Sequence, residues 1–128
     1  SGPLLDRIDM QLEVTAVPVR QITESAPEEP SEAIHARVQA ARRRQQARYA
    51  GAGVSSNAEL SARQLEQFCP LDELIGKACD KYNLSMRAVS RVRKVARTIA
   101  DLAGEENIGK AHILEALRYR NLEGNYWK

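Results

Sequence analysis

Ser85 to Gly104 reads SMRAVSRVRKVARTIADLAG, and this stretch decides the fold. At 100° per residue, Ala88, Val92, Val95, Ile99 and Leu102 merge with Val89, Ala96, Ala100 and Ala103 into one broad apolar arc, the pattern of a helix buried on a wide face. Ser85 can accept from the orphan amides of the first turn, and Gly104 suits the residue that ends a helix. The spacing therefore predicts a central helix that other elements must cover. Its five cations fall at the edges of the arc, with Arg87, Arg91 and Lys94 on one flank and Arg93 and Arg97 on the other.

Working outward, a last helix is expected from about Ile108 to Tyr119, with Ile113, Leu114 and Leu117 inward. Upstream, Leu71, Leu74, Ile75, Ala78 and Tyr82 keep helical spacing up to a stop at Asn83. Before them, Leu60, Leu65 and Phe68 make a short helix ended by Pro70, because the residue before a proline avoids the helical region. Residues 54 to 58 read as a loop. Ser31 is a candidate cap for a run from Ala33 to Ala50 without Gly or Pro, in which Ile34, Val38 and Ala41 share a face, and Gly51-Ala-Gly53 stops it. At the other end, Met10, Leu12 and Val14 alternate with Gln11 and Glu13, a short strand signal with no partner strand, so the sequence is expected to be cut from something longer and to begin mid-domain. Residues 24 to 30, rich in Pro and acids, read as a linker between a segment over 1 to 23 and a helical domain over 31 to 128. Residues 1 to 30 are expected to be largely extended.

The 128 residues are 43% hydrophobic but only 5% aromatic, and the abundance of Ala, Leu, Gln, Glu and Arg favours a mainly α fold over a β-sandwich. No apolar run approaches a membrane span and no charged-then-apolar leader opens the chain, so a soluble, cytoplasmic protein without membrane partners is expected. Cys69 and Cys79 form no CxxC pair and read as free thiols, and His35 and His112 have no ligand spacing; no metal site is expected. The net charge of +2 hides blocks: residues 31 to 50 carry five Arg against one acid, and residues 85 to 104 carry five bases against one acid. Two basic helices are the places where an anion would be met.

No GxxxxGK[ST] phosphate loop, paired acidic metal site or Ser/His/Asp set occurs, so this chain alone is not expected to turn over nucleotide. Arg42, Arg43 and Arg44, widened by Arg37 and Arg48, form either a solvated basic face or a sequence-independent phosphate-binding surface. Arg87 stands in the first turn of the central helix, where the dipole favours an anion and a guanidinium can grip phosphate oxygens; the alternative is a stem covering apolar surface. Arg7, between Asp6 and Asp9, is either paired with those acids or projected into a neighbour's site as an arginine finger.

Two separated motifs carry a resemblance that bears on these alternatives. Ser1-Gly-Pro-Leu-Leu-Asp-Arg-Ile-Asp resembles the segment that closes the α/β core of AAA+ ATPases of the magnesium-chelatase type, and Arg87 to Gly104, with Lys-Val-Ala-Arg-Thr-Ile-Ala-Asp-Leu at Lys94 to Leu102, resembles their sensor-2 helix. The likeness covers nearly the whole chain and points in particular to the magnesium-chelatase-like competence proteins, the ComM/YifB group. It implies a helical AAA+ lid domain preceded by a short extended segment from the end of the core, in a homo-oligomeric ring that binds ATP and Mg2+ between subunits. In that picture Arg7 is the trans arginine finger and Arg87 the sensor-2 arginine. The Walker A lysine, Walker B acid and sensor-1 residue are missing from these 128 residues, so weak nucleotide affinity is expected of the chain alone. DNA processing, in competence or recombination, is the implied role, with DNA contacted by Arg42, Arg43, Arg44 and Arg48. The alternatives are a magnesium chelatase ATPase subunit acting in tetrapyrrole synthesis and a small helical nucleic-acid-binding module.

Overall fold

In the computed structural model, which describes residues 7 to 12 and 29 to 120, the helix expected between Ser85 and Gly104 runs Met86–Ala103. Ser85 Oγ accepts from the Ala88 amide at 3.1 Å, and Gly104 takes the left-handed conformation at φ +75° that a Cβ would oppose. Among the described residues there are five α-helices and no strand: α1 Ser31–Arg48, α2 Ala62–Phe68, α3 Glu73–Lys81, α4 Met86–Ala103 and α5 Lys110–Arg118, with a 3-10 turn at Asn57–Glu59. None of the helices is long and apolar enough to cross a membrane.

The broad arc of α4 predicts cover on several sides, and α4 packs against α5, α1, α2 and the 3-10 turn, while α3 leans on α5. One core joins Val89, Val92, Val95 and Ala96 of α4 to Ile75 and Cys79 of α3 and to Ile113, Ala116 and Leu117 of α5. A second gathers Tyr49, Leu60, Leu65 and Cys69 on the other side, with Tyr49 and Phe68 edge to face at 4.9 Å between centroids. Both cysteines are buried and unpaired. Local chemistry sets the short helices: Ser61 and Gln64 form a reciprocal capping box on α2, Asp72 Oδ1 accepts from the Ile75 amide at 2.9 Å, and Asn83 follows α3 at φ 54°.

Several expectations shift. Ser31 is the first residue of α1, not its cap: the carbonyl of Pro30 closes the first turn by accepting from Ala33 and Ile34 at 3.1 and 3.3 Å. That helix ends at Arg48, α5 covers Lys110–Arg118, and Leu60 precedes α2 as the residue after the 3-10 turn. Ile34 is exposed, because only the C-terminal half of α1 reaches the core, through Ala41 and Gln45. Leu114 is also exposed: Ile113, Ala116 and Leu117 define the inward face, so Leu114 turns onto the edge of a groove of about 250 Å³ shared with Leu74 and Tyr82. Leu102 and Ala103 lie in the apolar arc but past its cover, and both are exposed. Residues 7 to 12 form no strand, and Val14, the last residue of the strand signal, lies outside the described residues, as do most of the linker and residues 121 to 128.

Candidate functional site

The five cations of α4 have different fates. Arg93, at the edge of the arc by periodicity, is 3% exposed. Its Nε donates to the Cys69 carbonyl at 2.9 Å and its Nη2 to the Leu65 carbonyl at 3.0 Å, both at the C-terminal end of α2, while Nη1 meets Glu66 at 3.1 Å. Arg97, 5% exposed, donates to the carbonyls of Glu105 and Glu106 at 2.8 and 2.9 Å, just past the end of α4. Arg93 thus serves the Cys69 carbonyl and shares the Leu65 carbonyl with the Cys69 amide, and Arg97 serves the loop carbonyls after α4, each at the negative end of a helix dipole. Lys94 donates to the Ala58 carbonyl at 3.2 Å, and burial lowers its pKa. Arg91 pairs with Asp9 at 2.9 Å. Arg87, by contrast, is exposed and makes no hydrogen bond or ion pair with another described residue.

The arginines of α1 divide in the same way. Asp101 of α4 is fully buried, and a carboxylate there needs partners on every side. Arg48 grips it with both terminal nitrogens, Arg97 approaches at 3.2 Å, and Asn57 Nδ2 donates at 3.1 Å. The bond to Asp101 holds the Arg48 guanidinium above its ordinary pKa. Asn57 in turn accepts from the Tyr49 hydroxyl, donates from Nδ2 to Thr98 Oγ1 at 3.0 Å, and donates from its backbone N–H to Gln45 Oε1 at 2.9 Å. Arg44 Nη1 donates to the Asp101 carbonyl at 3.0 Å. Arg37 pairs with Glu29, which lowers the Glu29 pKa. Arg44 and Arg48 are therefore anchors that fasten α1 to α4, and of the arginines expected to meet nucleic acid, Arg42 and Arg43 are exposed without a described partner. The periodicity of α4 carries no such signal, because at 100° per residue Asp101 falls opposite the apolar arc, among the cations; it is buried because α1 and the 3-10 turn cover that side.

Arg7 is exposed and has no described partner. Asp9 is committed to Arg91, and Asp6 lies outside the described residues. The segment after Arg7 is tied down instead. Ile8 gives its carbonyl to Arg120 Nη1 at 2.6 Å, the Gln11 amide donates to the Tyr119 carbonyl at 2.5 Å, and Met10 lines a groove of about 230 Å³ with Val95, Ile99 and Leu102 of α4. Arg91 follows Arg87 by four residues, so the two leave α4 on the same side one turn apart. The Arg7 segment is thereby fastened beside the helical turn that follows Arg87.

Chemically, two free guanidiniums, one in the first turn of an 18-residue helix, suit phosphate oxygens. No group of three or more His, Cys, Asp or Glu that could hold a metal ion occurs among the described residues.

Residues 28 to 120 match the family model described as magnesium chelatase, subunit ChlI C-terminal. The chain is 39% identical over 125 residues to "Competence protein ComM" of Haemophilus influenzae, and 37% identical over 128 residues to "Uncharacterized protein YifB" of Escherichia coli. It is 33% identical over 124 residues to "Uncharacterized protein Rv2897c" of Mycobacterium tuberculosis. These alignments cover 94%, 96% and 94% of the chain but 24% of each relative's length.

Proposed function

The chain belongs to the family of magnesium chelatase subunit ChlI C-terminal domains, and on that premise we propose that it is the lid, with the finger-bearing end of the core, of a ring-forming AAA+ ATPase. In this reading ATP with Mg2+ binds between identical subunits, and the cycle serves DNA processing. The observation that carries it is the sorting of cations on α4. Four of the five are engaged by other described residues, and Arg87 is exposed at the helix start with no partner among the described residues. A cation with no structural partner, placed where backbone dipoles favour an anion, is suited to read a phosphate from the lid side. Arg7, also without a partner among the described residues, is suited to reach the nucleotide of the neighbouring subunit, where bound MgATP supplies the scissile phosphoryl group and Arg7 the charge that stabilises its transfer.

The test is turnover in the full-length protein. Arg87→Ala should weaken ATP response, and Arg7→Ala should abolish hydrolysis with ATP binding retained. In mixed rings, Arg7→Ala subunits should also lower the activity of wild-type neighbours. Neighbouring activity that stays unchanged refutes the trans role.

The DNA role draws on the relative described as a competence protein, and on the exposed Arg42 and Arg43 pair. Neutralising two phosphates gives a slope of log K against log salt of about −1.8, compared with about −3.6 had all four arginines been free. The family's description also carries a second reading, a subunit of magnesium chelatase. Neighbouring genes separate the two, with tetrapyrrole genes favouring the chelatase and competence or recombination genes favouring DNA processing.

A further inference from the structure

We propose that Asp9 and Arg91 are a positioning pair that couples Arg87 to Arg7, so that the phosphate contact at one subunit's own site sets the placement of the finger in its neighbour's. The inference rests on the roles given above to Arg7 and Arg87. Three features of the chain carry it. Arg91 stands one turn after Arg87 on α4, and Asp9 stands two residues after Arg7; their ion pair, at 2.9 Å, joins the two segments at that level. The pair does not act alone, because the Ile8 carbonyl is held by Arg120 and the Gln11 amide by the Tyr119 carbonyl, so backbone on both sides of Asp9 is in register with the end of α5. Met10, between those anchors, lines the groove with Val95 and Ile99 of α4. A movement of α4 on contact with phosphate is therefore passed to the segment that bears Arg7.

The pair is suited to adjust rather than to hold the fold. Asp9 is 47% and Arg91 28% exposed, and a half-exposed ion pair contributes little to stability while still fixing direction. It differs in this from the buried contacts of Arg93 and Arg97 on the same helix. Arg91 is thus the α4 cation whose loss should change geometry at the site with little change in folding.

The experiment uses the full-length protein with Asp9→Asn, Arg91→Gln, the conservative Asp9→Glu, and the swap Asp9→Arg with Arg91→Asp. Misplacing a reacting group by about 1 Å can cost roughly a hundredfold in rate, so each single neutral variant should lose about tenfold or more in kcat. KM should stay within about twofold, and the Hill coefficient for ATP should fall to about 1. Exchange of the Gln11 amide should quicken in the same variants. Asp9→Glu and the swap should restore turnover, cooperativity and protection together. A wild-type Hill coefficient of about 1, or loss of kcat that neither Asp9→Glu nor the swap repairs, overturns the coupling. Turnover lost in Arg7→Ala but untouched by Asp9→Asn overturns it alone, whereas turnover untouched by Arg7→Ala overturns it together with the ATPase reading.

Discussion

Replacing Asp101 by Asn keeps the side chain's shape and removes its charge, leaving Arg48 and Arg97 facing each other without an anion. Asp101 is fully buried, Arg97 nearly so, and Arg48 retains 22% exposure of its side chain. Removing one partner of a buried ion pair costs about 3 to 5 kcal/mol; because Arg48 can relax toward water, the lower figure, about 3 kcal/mol, is expected. For a helical body of this size, each kcal/mol lowers the melting temperature by about 4 to 8 °C, so a drop of about 12 to 24 °C should follow. Thermal unfolding followed by circular dichroism, with urea titration to show an unchanged m-value, measures it. Arg48→Met in the Asp101→Asn background should cost less than the sum of the two single changes, since the second removes a cation already stranded. A melting temperature within about 3 °C of wild type would refute the view that Asp101 fastens α1, the 3-10 turn and α4 together.

Two further expectations concern glycines and thiols. Gly104→Ala should cost about 1 to 2 kcal/mol, because φ is +75° and the new Cβ would stand 3.3 Å from Arg44 Nη2. Gly76→Ala, inside α3 with nothing within 4 Å of the new Cβ, should instead stabilise by about 0.5 to 1 kcal/mol; paired urea melts decide both. Burial raises the pKa of Cys69 and Cys79 above 9.0, so the unfolded chain releases thiol protons first as pH rises. The stability these thiols contribute is present below pH 9.0 and is lost as pH climbs through their folded pKa values. The raised Tyr49 hydroxyl acts in the same direction, and the lowered Lys94 in the opposite one. Melts at increasing pH should fall less steeply in the Cys69→Ala, Cys79→Ala double variant; an identical slope would remove the thiols from the account.

Much of the architecture was legible in the residues because helix formation is a local matter. The 3.6-residue period of α4, its Ser85 cap and Gly104 stop, the turn at Asn83 and the break at Pro70 all act within a few residues of themselves. The misplaced features were those that need a second element. Leu114 follows a helical spacing but faces a groove edge, since the sequence period marks an angle around α5 and not what lies opposite it. The alternation from Met10 to Val14 marks a strand without a partner strand, and its described part is unpaired with any strand and held instead by α4 and the end of α5.

By itself, then, the sequence determined a helical chain with a central amphipathic helix, and it offered Arg7 and Arg87 as candidates for phosphate contact beside the readings of an ion pair for Arg7 and a covering stem for Arg87. Only the tertiary structure decided which of the other cations are free. Arg44, Arg48, Arg93 and Arg97 find carbonyls and a carboxylate contributed by residues distant in sequence or by the loop beyond α4, brought into reach by packing. A charged side chain's periodicity fixes the direction in which it leaves its helix, but whether it ends in water or on a buried acceptor depends on what the packing puts there.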